Sequence, residues 1–264
     1  MPSPTPTPTT TRPSPELASA LRALSLWRTA EDLDDFLARA TRGRYGPVQV
    51  LEELARAELA ERARKSVEGR LKRAHLGRFK PMADFDWAWP KKIDRETVER
   101  VLGLEFLPRA ENVLLVAPQG LGKTMIAKNL AHAAVLAGAT ALFVTAAELL
   151  LDLSKQETPR ALERRLAHYV RPQLLVVDEL GYLSYDNHAA DLLFQLVTRR
   201  YEHRALVLTT NLRFADWNTV LPNATSATAL IDRLTHHAEI IAIEGESYRK
   251  REAELARQAR RRGP

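Results

Sequence analysis

The chain has 264 residues, 45% hydrophobic and 27% charged, which is ordinary for a globular protein. It contains no cysteine, which excludes disulfides, cysteine–zinc sites and thiol catalysis and fits a reducing, cytoplasmic location. Because no apolar run approaches the ~18 residues of a membrane-spanning helix, we expect no membrane partner.

Positive charge is concentrated at the two ends of the chain, and the formal net charge is +6. Residues 1–80 hold 15 Lys/Arg and 10 Asp/Glu, residues 249–264 hold 7 and 2, and the residues between them carry a net −4. This asymmetry predicts a polyanionic partner, for which solvated basic helices are the alternative explanation.

The first part of the chain reads as a tail followed by helices. Residues 1–14 are rich in Pro and Thr and are predicted to be a disordered or polyproline-like tail. Apolar residues at helical spacing predict helices over residues 15–28, 30–41 and 47–74. We therefore expect a small helical domain over residues 15–80.

The second half of the third predicted helix is strongly basic. Helical spacing supports a single cationic face only in part: Arg62, Lys65, Lys72 and Arg73 are compatible with it, whereas Arg64 points elsewhere. Two further cations flank a predicted helix break at Thr158 and Pro159. The residues predicted to contact double-stranded DNA are Arg62, Lys65, Arg70, Lys72, Arg73, Lys155 and Arg160.

The segment 113–128, VLLVAPQGLGKTMIAK, has the strand, glycine-containing loop, Lys-Thr pair and helix of a phosphate-binding P-loop. Lys123 would reach the β- and γ-phosphates, and the Thr124 hydroxyl would hold Mg²⁺. The pattern expects glycine at position 117, and Ala117 is tolerable there if its φ is negative. The residues predicted to bind ATP are Ala117, Pro118, Gln119, Gly120, Leu121, Gly122, Lys123, Thr124 and Met125.

Two later strand ends carry polar residues suited to the same chemistry. Residues 174–180, LLVVDEL, place Asp178 to hold Mg²⁺ and Glu179 to act as a general base on water. Asn211 follows the apolar run 205–210 and would contact the γ-phosphate or the attacking water.

Short apolar strands alternate with helices after residue 112, which predicts an α/β fold with a parallel, doubly wound five-stranded sheet. The predicted strands are 113–117, 141–145, 174–178, 205–210 and 239–243. Since about 20 residues follow the last strand, we expect no separate C-terminal lid. The expected divisions are a P-loop NTPase domain over 81–248 and a basic tail over 249–264.

The assembled sequence resembles the DnaC/IstB group of AAA+ ATPases, and in particular the IstB-like transposition helper proteins. The resemblance covers nearly the whole chain after residue 14. It is most specific in DELGYL, ADLLFQLVTRRYEHR, TTNLRFADW, DRLTHHAEII and GESYR, which begin at residues 178, 190, 209, 232 and 245.

This resemblance implies roles for three more residues and supports the role of Asn211. Arg233 matches the arginine finger that enters the ATP site of a neighbouring subunit, and Arg249 matches the second-sensor arginine. Asn211 matches the first sensor, and Phe85 matches a residue packed near the adenine. The implied partners are other copies of the chain, with ATP sites between subunits, DNA, and the transposase of the same insertion element.

The sequence therefore predicts a Mg²⁺-dependent ATPase that oligomerises on DNA and assists transposition. A helicase loader of the DnaC type and an inactive nucleotide-binding scaffold are the alternatives, and a small-molecule P-loop kinase is a more distant one. His236 and His237 have no cysteine or carboxylate at ligand spacing, so they are interpreted as helix-end residues and not as metal ligands.

Overall fold

The computed structural model describes residues 15–182, 186–219 and 224–262, so the predicted tail lies outside the described residues. The chain divides into two compact units, Met1–Glu68 and Gly69–Pro264. Residues 69–80, which the sequence analysis placed with the N-terminal helices, belong to the second unit. In the ranges described, no helix has the length and apolar character needed to cross a membrane.

The first unit is helical, as predicted. Its elements are α1 (Pro15–Ala23), α2 (Trp27–Glu31), α3 (Leu33–Arg42) and α4 (Pro47–Ala74), the last of which continues into the second unit. One helix had been predicted over 15–28, but the chain turns at Ser25, whose φ is 60°.

A small core holds the first unit together. Leu21, Ala30 and Leu33 are buried against one another. The carboxylate of Glu58, on α4, is also buried and accepts a hydrogen bond from the backbone N–H of Thr29 at 2.7 Å. A buried carboxylate is tolerated because it is hydrogen-bonded, and this bond fixes α4 against α2.

The second unit contains a parallel sheet with strand order β2-β3-β4-β1-β5. Four strands lie within one residue of their predicted bounds, and the third continues two residues further. The strands are β1 (Asn112–Val116), β2 (Ala141–Thr145), β3 (Leu174–Leu180), β4 (Ala205–Thr210) and β5 (Ala238–Ala242).

Helices lie on both faces of this sheet. Thr158 caps a helix that begins at Pro159, so the predicted helix break is confirmed. The first helix of the unit was not predicted, and the predicted basic tail forms the last helix. The helices are α5 (Arg95–Leu102), α6 (Lys123–Leu136), α7 (Ala146–Ser154), α8 (Pro159–Val170), α9 (Asn187–Arg200), α10 (Ala224–Thr235) and α11 (Tyr248–Arg262).

Alternation along the strands divides the interior into two apolar layers. Val113 and Leu115 belong to the layer that contains Ile126 of α6, whereas Leu114 belongs to the layer that contains residues of α7, α9 and α10. All four side chains are fully buried. The sheet is therefore covered on both faces, as expected for parallel strands with apolar runs.

A buried arginine holds the start of two central strands. Arg200, 1% exposed, donates to the carbonyl oxygens of Tyr169, Val170 and Pro172 through one guanidinium nitrogen. Its other terminal nitrogen donates to Gln173 and Ala205, which lie at the starts of β3 and β4. This arrangement sets the spacing of the strands whose opposite ends form the candidate site.

Candidate functional site

The loop between β1 and α6 is shaped by two glycines. Gly120 and Gly122 have φ of +80° and +88°, a region that strongly favours glycine. A Cβ atom at Gly120 would lie 2.1 Å from Ser247 Oγ, and one at Gly122 would lie 2.6 Å from Phe85 Cε2. The loop is therefore closely covered, and larger residues at either position would displace their neighbours.

Ala117 meets the condition set by the sequence. It is not among the described residues with positive φ, it is 2% exposed, and its N–H donates to the Thr210 carbonyl oxygen at 3.1 Å. The alanine methyl is thus accommodated where the P-loop pattern expects glycine.

Lys123 lies inside the loop. Its Nζ donates to the carbonyl oxygens of Ala117 and Pro118 at 2.6 and 2.9 Å. Burial lowers the pKa of Lys123, and the neighbouring carboxylates of Asp178 and Glu179 oppose that shift. Phosphate oxygens would supply stronger acceptors for this cation than the two carbonyls do.

Asp178 and Thr124 form the candidate metal position. The Thr124 hydroxyl donates to the two carboxylate oxygens of Asp178, at 2.9 and 3.2 Å, and the Thr209 hydroxyl donates to one of them at 2.6 Å. Asp178 is only 3% exposed. A carboxylate and hydroxyl oxygens are the ligands that Mg²⁺ prefers, so these residues fit that ion.

Glu179 stands on an irregular part of β3. The pairing of β3 with β4 shifts register between Val177 and Leu180, and Glu179 has φ of 63°. Its N–H donates to Thr209 Oγ1 at 2.9 Å. Glu179 is exposed and lines the cavity, whereas its neighbour Asp178 is buried and bonded to Thr124.

Most of these residues line a cavity of about 560 Å³, a size within the range of ligand sites, whereas the buried Asp178 is not among its lining residues. The cavity brings together most of the predicted nucleotide and catalytic residues, whereas Ala117 and Pro118 contribute their carbonyls behind Lys123. The predicted residues that line it are Phe85, Gln119, Gly120, Leu121, Gly122, Lys123, Thr124, Met125, Glu179, Asn211 and Arg249.

Several lining residues were not predicted because they belong to no phosphate-binding motif. Most come from the segment before β1 or from the start of α11, far in sequence from the P-loop. They include Arg78, Lys80, Trp89, Lys128, Tyr182 and Tyr248.

Asn129 on α6 organises one wall of this cavity. Its side chain accepts from the Met82 N–H at 3.2 Å and donates to the Lys80 carbonyl at 2.9 Å. The held segment leads to Phe85, whose ring lies 4.7 Å from that of Trp87. The sequence shows Asn129 only as one of several polar residues of α6, so it provides no specific signal for this role.

The start of α11 is joined to the P-loop. The Tyr248 N–H donates to the Gly120 carbonyl at 2.9 Å, and Trp89 Nε1 donates to the Glu246 carbonyl at 2.8 Å. The Arg251 guanidinium lies 4.4 Å from the Trp89 ring centre. These contacts bring Arg249 to the cavity edge.

Arg233 lies away from the cavity of its own chain. Its guanidinium stacks on Phe194 at 4.7 Å and donates to the Ala229 carbonyl at 3.1 Å. It lines a second cavity, of about 240 Å³, together with Glu202 and His237. The structure therefore does not bring Arg233 to the other predicted catalytic residues within one chain.

The fold places a carboxylate beside His236 and His237 that spacing along the chain did not reveal. Each offers a ring nitrogen close to a carboxylate oxygen of Glu202. The sequence analysis looked for a carboxylate at ligand spacing along the chain, whereas the fold supplies one from the end of α9.

The predicted DNA-contacting cations of the first unit are exposed but have partners. Arg62 donates to the Ser25 carbonyl, and Lys65 lies 3.3 Å from Glu61. Arg64 pairs with Glu61 and Glu68, each at 2.7 Å, so its charge is locally balanced.

The corresponding cations of the second unit differ among themselves. Arg70 is partly buried and donates to the Val135 carbonyl, whereas Lys72, Arg73, Lys155 and Arg160 are exposed.

A parallel sheet whose first strand leads into a P-loop, and whose third ends in two carboxylates beside it, defines a P-loop NTPase of the AAA+ type. The sequence model of the family "IstB-like ATP binding protein" matches residues 19–256. The chain therefore belongs to the IstB-like ATP-binding proteins of insertion sequences.

Relatives support this membership over most of the chain. It is 36% identical to "Insertion sequence IS21 putative ATP-binding protein" of Pseudomonas aeruginosa over 241 residues, and this match covers 91% of each chain. It is also 36% identical over 207 residues to the protein of that description from IS5376 of Geobacillus stearothermophilus, covering 78% of this chain and 82% of the relative.

Solved structures share the fold. DnaI superposes with a TM-score of 0.52 at 19% identity, covering 63% of this chain and 89% of DnaI. A replication initiator DnaA, bound to AMPPCP and single-stranded DNA, gives 0.50 at 14% identity and covers 62% of this chain and 52% of DnaA. At these identities the likeness concerns the fold alone.

Proposed function

We propose that the protein is a Mg²⁺-dependent ATPase that assembles on DNA and assists transposition of its insertion element. The observation that carries the ATPase assignment is the position of Glu179. Its carboxylate lines the same cavity as Lys123 and the P-loop. Glu179 lies where the pairing of β3 with β4 is irregular.

In this proposal Glu179 accepts a proton from the water that attacks the γ-phosphate, and the products are ADP and phosphate. Lys123, Asn211 and Arg249 line the cavity and stabilise the negative charge that develops on the phosphate oxygens. Thr124 and Asp178 would hold Mg²⁺, whose charge offsets that of the phosphates.

Arg233 supports an ATP site shared between subunits. This arginine does not line the cavity of its own chain. In the proposal it exchanges its contacts with Phe194 and Ala229 for the phosphates of a neighbouring copy. In other nucleotide hydrolases, an arginine supplied in trans increases the rate of hydrolysis by a factor of about 10³–10⁵. Hydrolysis would then depend on assembly of the oligomer.

DNA binding is proposed from the charge at the chain ends and the exposed cations of α4. Phosphate contacts by Lys and Arg hold DNA with little sequence selectivity. Membership in a family of insertion-sequence proteins favours the transposase of the same element as the protein partner. Co-purification with that transposase, compared with a replicative helicase, distinguishes this proposal from a helicase loader.

The ATPase assignment is tested with Glu179→Gln. We expect this variant to bind ATP with unchanged affinity and to lose turnover, because the carboxylate acts on water and not on the nucleotide. Glu105→Gln, at an exposed position outside the cavity, is the matched control and should hydrolyse ATP normally. Normal turnover by Glu179→Gln would show that the assigned base is wrong.

A further inference from the structure

Two turns of the second unit bring together three side chains of types that can ligate a metal ion. Glu202 follows α9, and His236 and His237 connect α10 to β5. One ligand atom from each lies within 4.8 Å of the others. Among the residues that the structure describes, this is the one such group of three His, Cys, Asp or Glu side chains.

The spacing is close to that of a metal site. His237 Nε2 lies 3.6 Å from Glu202 Oε1. Two ligands of a tetrahedral Zn²⁺ ion, with bonds of about 2.0–2.1 Å, lie roughly 3.4 Å apart. The pair thus already has nearly the required separation, and the ligand atom of His236 lies within 4.8 Å of both.

The backbone of the three residues is held by regular structure. The His237 carbonyl accepts from the Asn112 N–H at 2.8 Å, at the start of β1, and the His236 N–H donates to Asp232 at 3.0 Å. Glu202 has φ of 59°, a conformation that is unfavourable for a residue other than glycine. The fold therefore maintains the position of Glu202 against its local preference.

The surroundings orient one ligand and balance the nearby positive charges. The Tyr201 hydroxyl is hydrogen-bonded to His236 Nδ1 at 2.5 Å, and such an outer contact fixes the ring of a metal-binding histidine. Arg109 is paired with Glu111 at 2.9 Å, and Arg233 stacks on Phe194. Both cations, which line the adjoining cavity, thus have other partners.

We propose that Glu202, His236 and His237 bind one divalent transition-metal ion of the Zn²⁺ type. Two imidazoles and one carboxylate favour Zn²⁺ over Mg²⁺ or Ca²⁺, which prefer oxygen ligands alone. The side chains of His237 and Glu202 are 51% and 54% exposed, so solvent water completes the coordination shell. None of the three residues lines the proposed ATP cavity, but Glu202 and His237 share the second cavity with Arg233.

The test uses the full chain without an affinity tag, stripped with a chelator and studied with excess Mg²⁺ and no nucleotide. Calorimetric titration with Zn²⁺ should give one site per chain. Titration with Co²⁺ should give the intensified visible absorption of a four- or five-coordinate ion. His237→Ala and Glu202→Gln should each weaken Zn²⁺ binding at least tenfold and remove the Co²⁺ bands.

His203→Ala is the matched control, since it removes an exposed histidine beside Glu202 that is not part of the group. It should bind both metals normally. Circular dichroism of metal-free samples verifies that all three variants are folded. Absence of stoichiometric Zn²⁺ binding, or equal binding by His237→Ala and Glu202→Gln, would overturn the proposal; the latter result would place the metal elsewhere, including at Asp178.

Discussion

Asn129 accepts a hydrogen bond from the backbone of Met82 at 3.2 Å and so joins the helix that begins with Lys123 to the segment that carries Phe85. The same side chain donates to the Lys80 carbonyl at 2.9 Å. The wall of the nucleotide cavity and the phosphate loop are therefore positioned by one helix.

Replacing Asn129 with Leu should weaken ATP binding, with turnover at saturating ATP little changed. Unmade hydrogen bonds at a buried site cost about 1–3 kcal/mol. If this cost destabilises the ATP-bound state, the dissociation constant for ATP rises roughly tenfold. Asn129→Asp keeps the acceptor for Met82 and should lose less. Fluorescent-nucleotide titration and the separation of KM from kcat measure the effect, and an unchanged affinity in folded Asn129→Leu would contradict it.

Thr124→Ala should reduce ATP hydrolysis by roughly 10–100-fold, the scale seen when groups supporting a metal site are removed. The physical reason is loss of a hydroxyl that contacts Asp178 and would bind Mg²⁺. Thr124→Ser retains the hydroxyl and is the control. Activity is measured against Mg²⁺ concentration; if the two variants show the same Mg²⁺ dependence, Thr124 does not hold the ion.

Arg233→Ala should impair hydrolysis while leaving ATP binding to an isolated subunit almost unchanged, because this side chain is outside its own cavity. Mixing Arg233→Ala with Glu179→Gln should restore part of the activity. Some mixed interfaces would take Glu179 from one chain and Arg233 from the other. If mixed assemblies form and no ratio recovers activity, the arginine does not act in trans.

Charge reversal at Lys65 and Lys72 should weaken DNA binding and leave ATP binding without DNA intact. These residues are two helical turns apart on α4. Each lost phosphate contact should reduce the slope of log K against log salt by roughly 0.9. Reversal at Lys91 and Lys92 changes the net charge equally and is the control. An unchanged slope for the α4 variant would direct attention to Lys155, Arg160 or α11.

Elements whose signals are local could be predicted from the sequence. The five strands are short apolar runs, and the spacing of Gly120, Gly122, Lys123 and Thr124 specifies a loop within a few residues. The basic helix α11 has few apolar residues and was interpreted as a tail, since contacts of Tyr248 with the P-loop are visible only in the fold.

Features that depend on distant residues could not be predicted in this way. Asn129 contacts residues 47 and 49 positions away. Glu202 follows α9 and His237 precedes β5, so the two residues are close only because the end of α9 lies beside the start of β5. In both cases the sequence shows a polar residue but not its partner, which depends on packing of whole elements.

The left-handed backbone conformation of Glu179 lowers folding stability at a position where the proposed activity needs a carboxylate. A residue other than glycine pays roughly 1–2 kcal/mol for such a conformation, and Glu179 is an exposed side chain with φ of 63°. Glu179→Gly should therefore unfold at a higher denaturant concentration than the parent protein while having no ATPase activity. If Glu179→Gly is both more stable and inactive, the strained backbone at this position is a cost in folding stability that accompanies the proposed catalytic carboxylate.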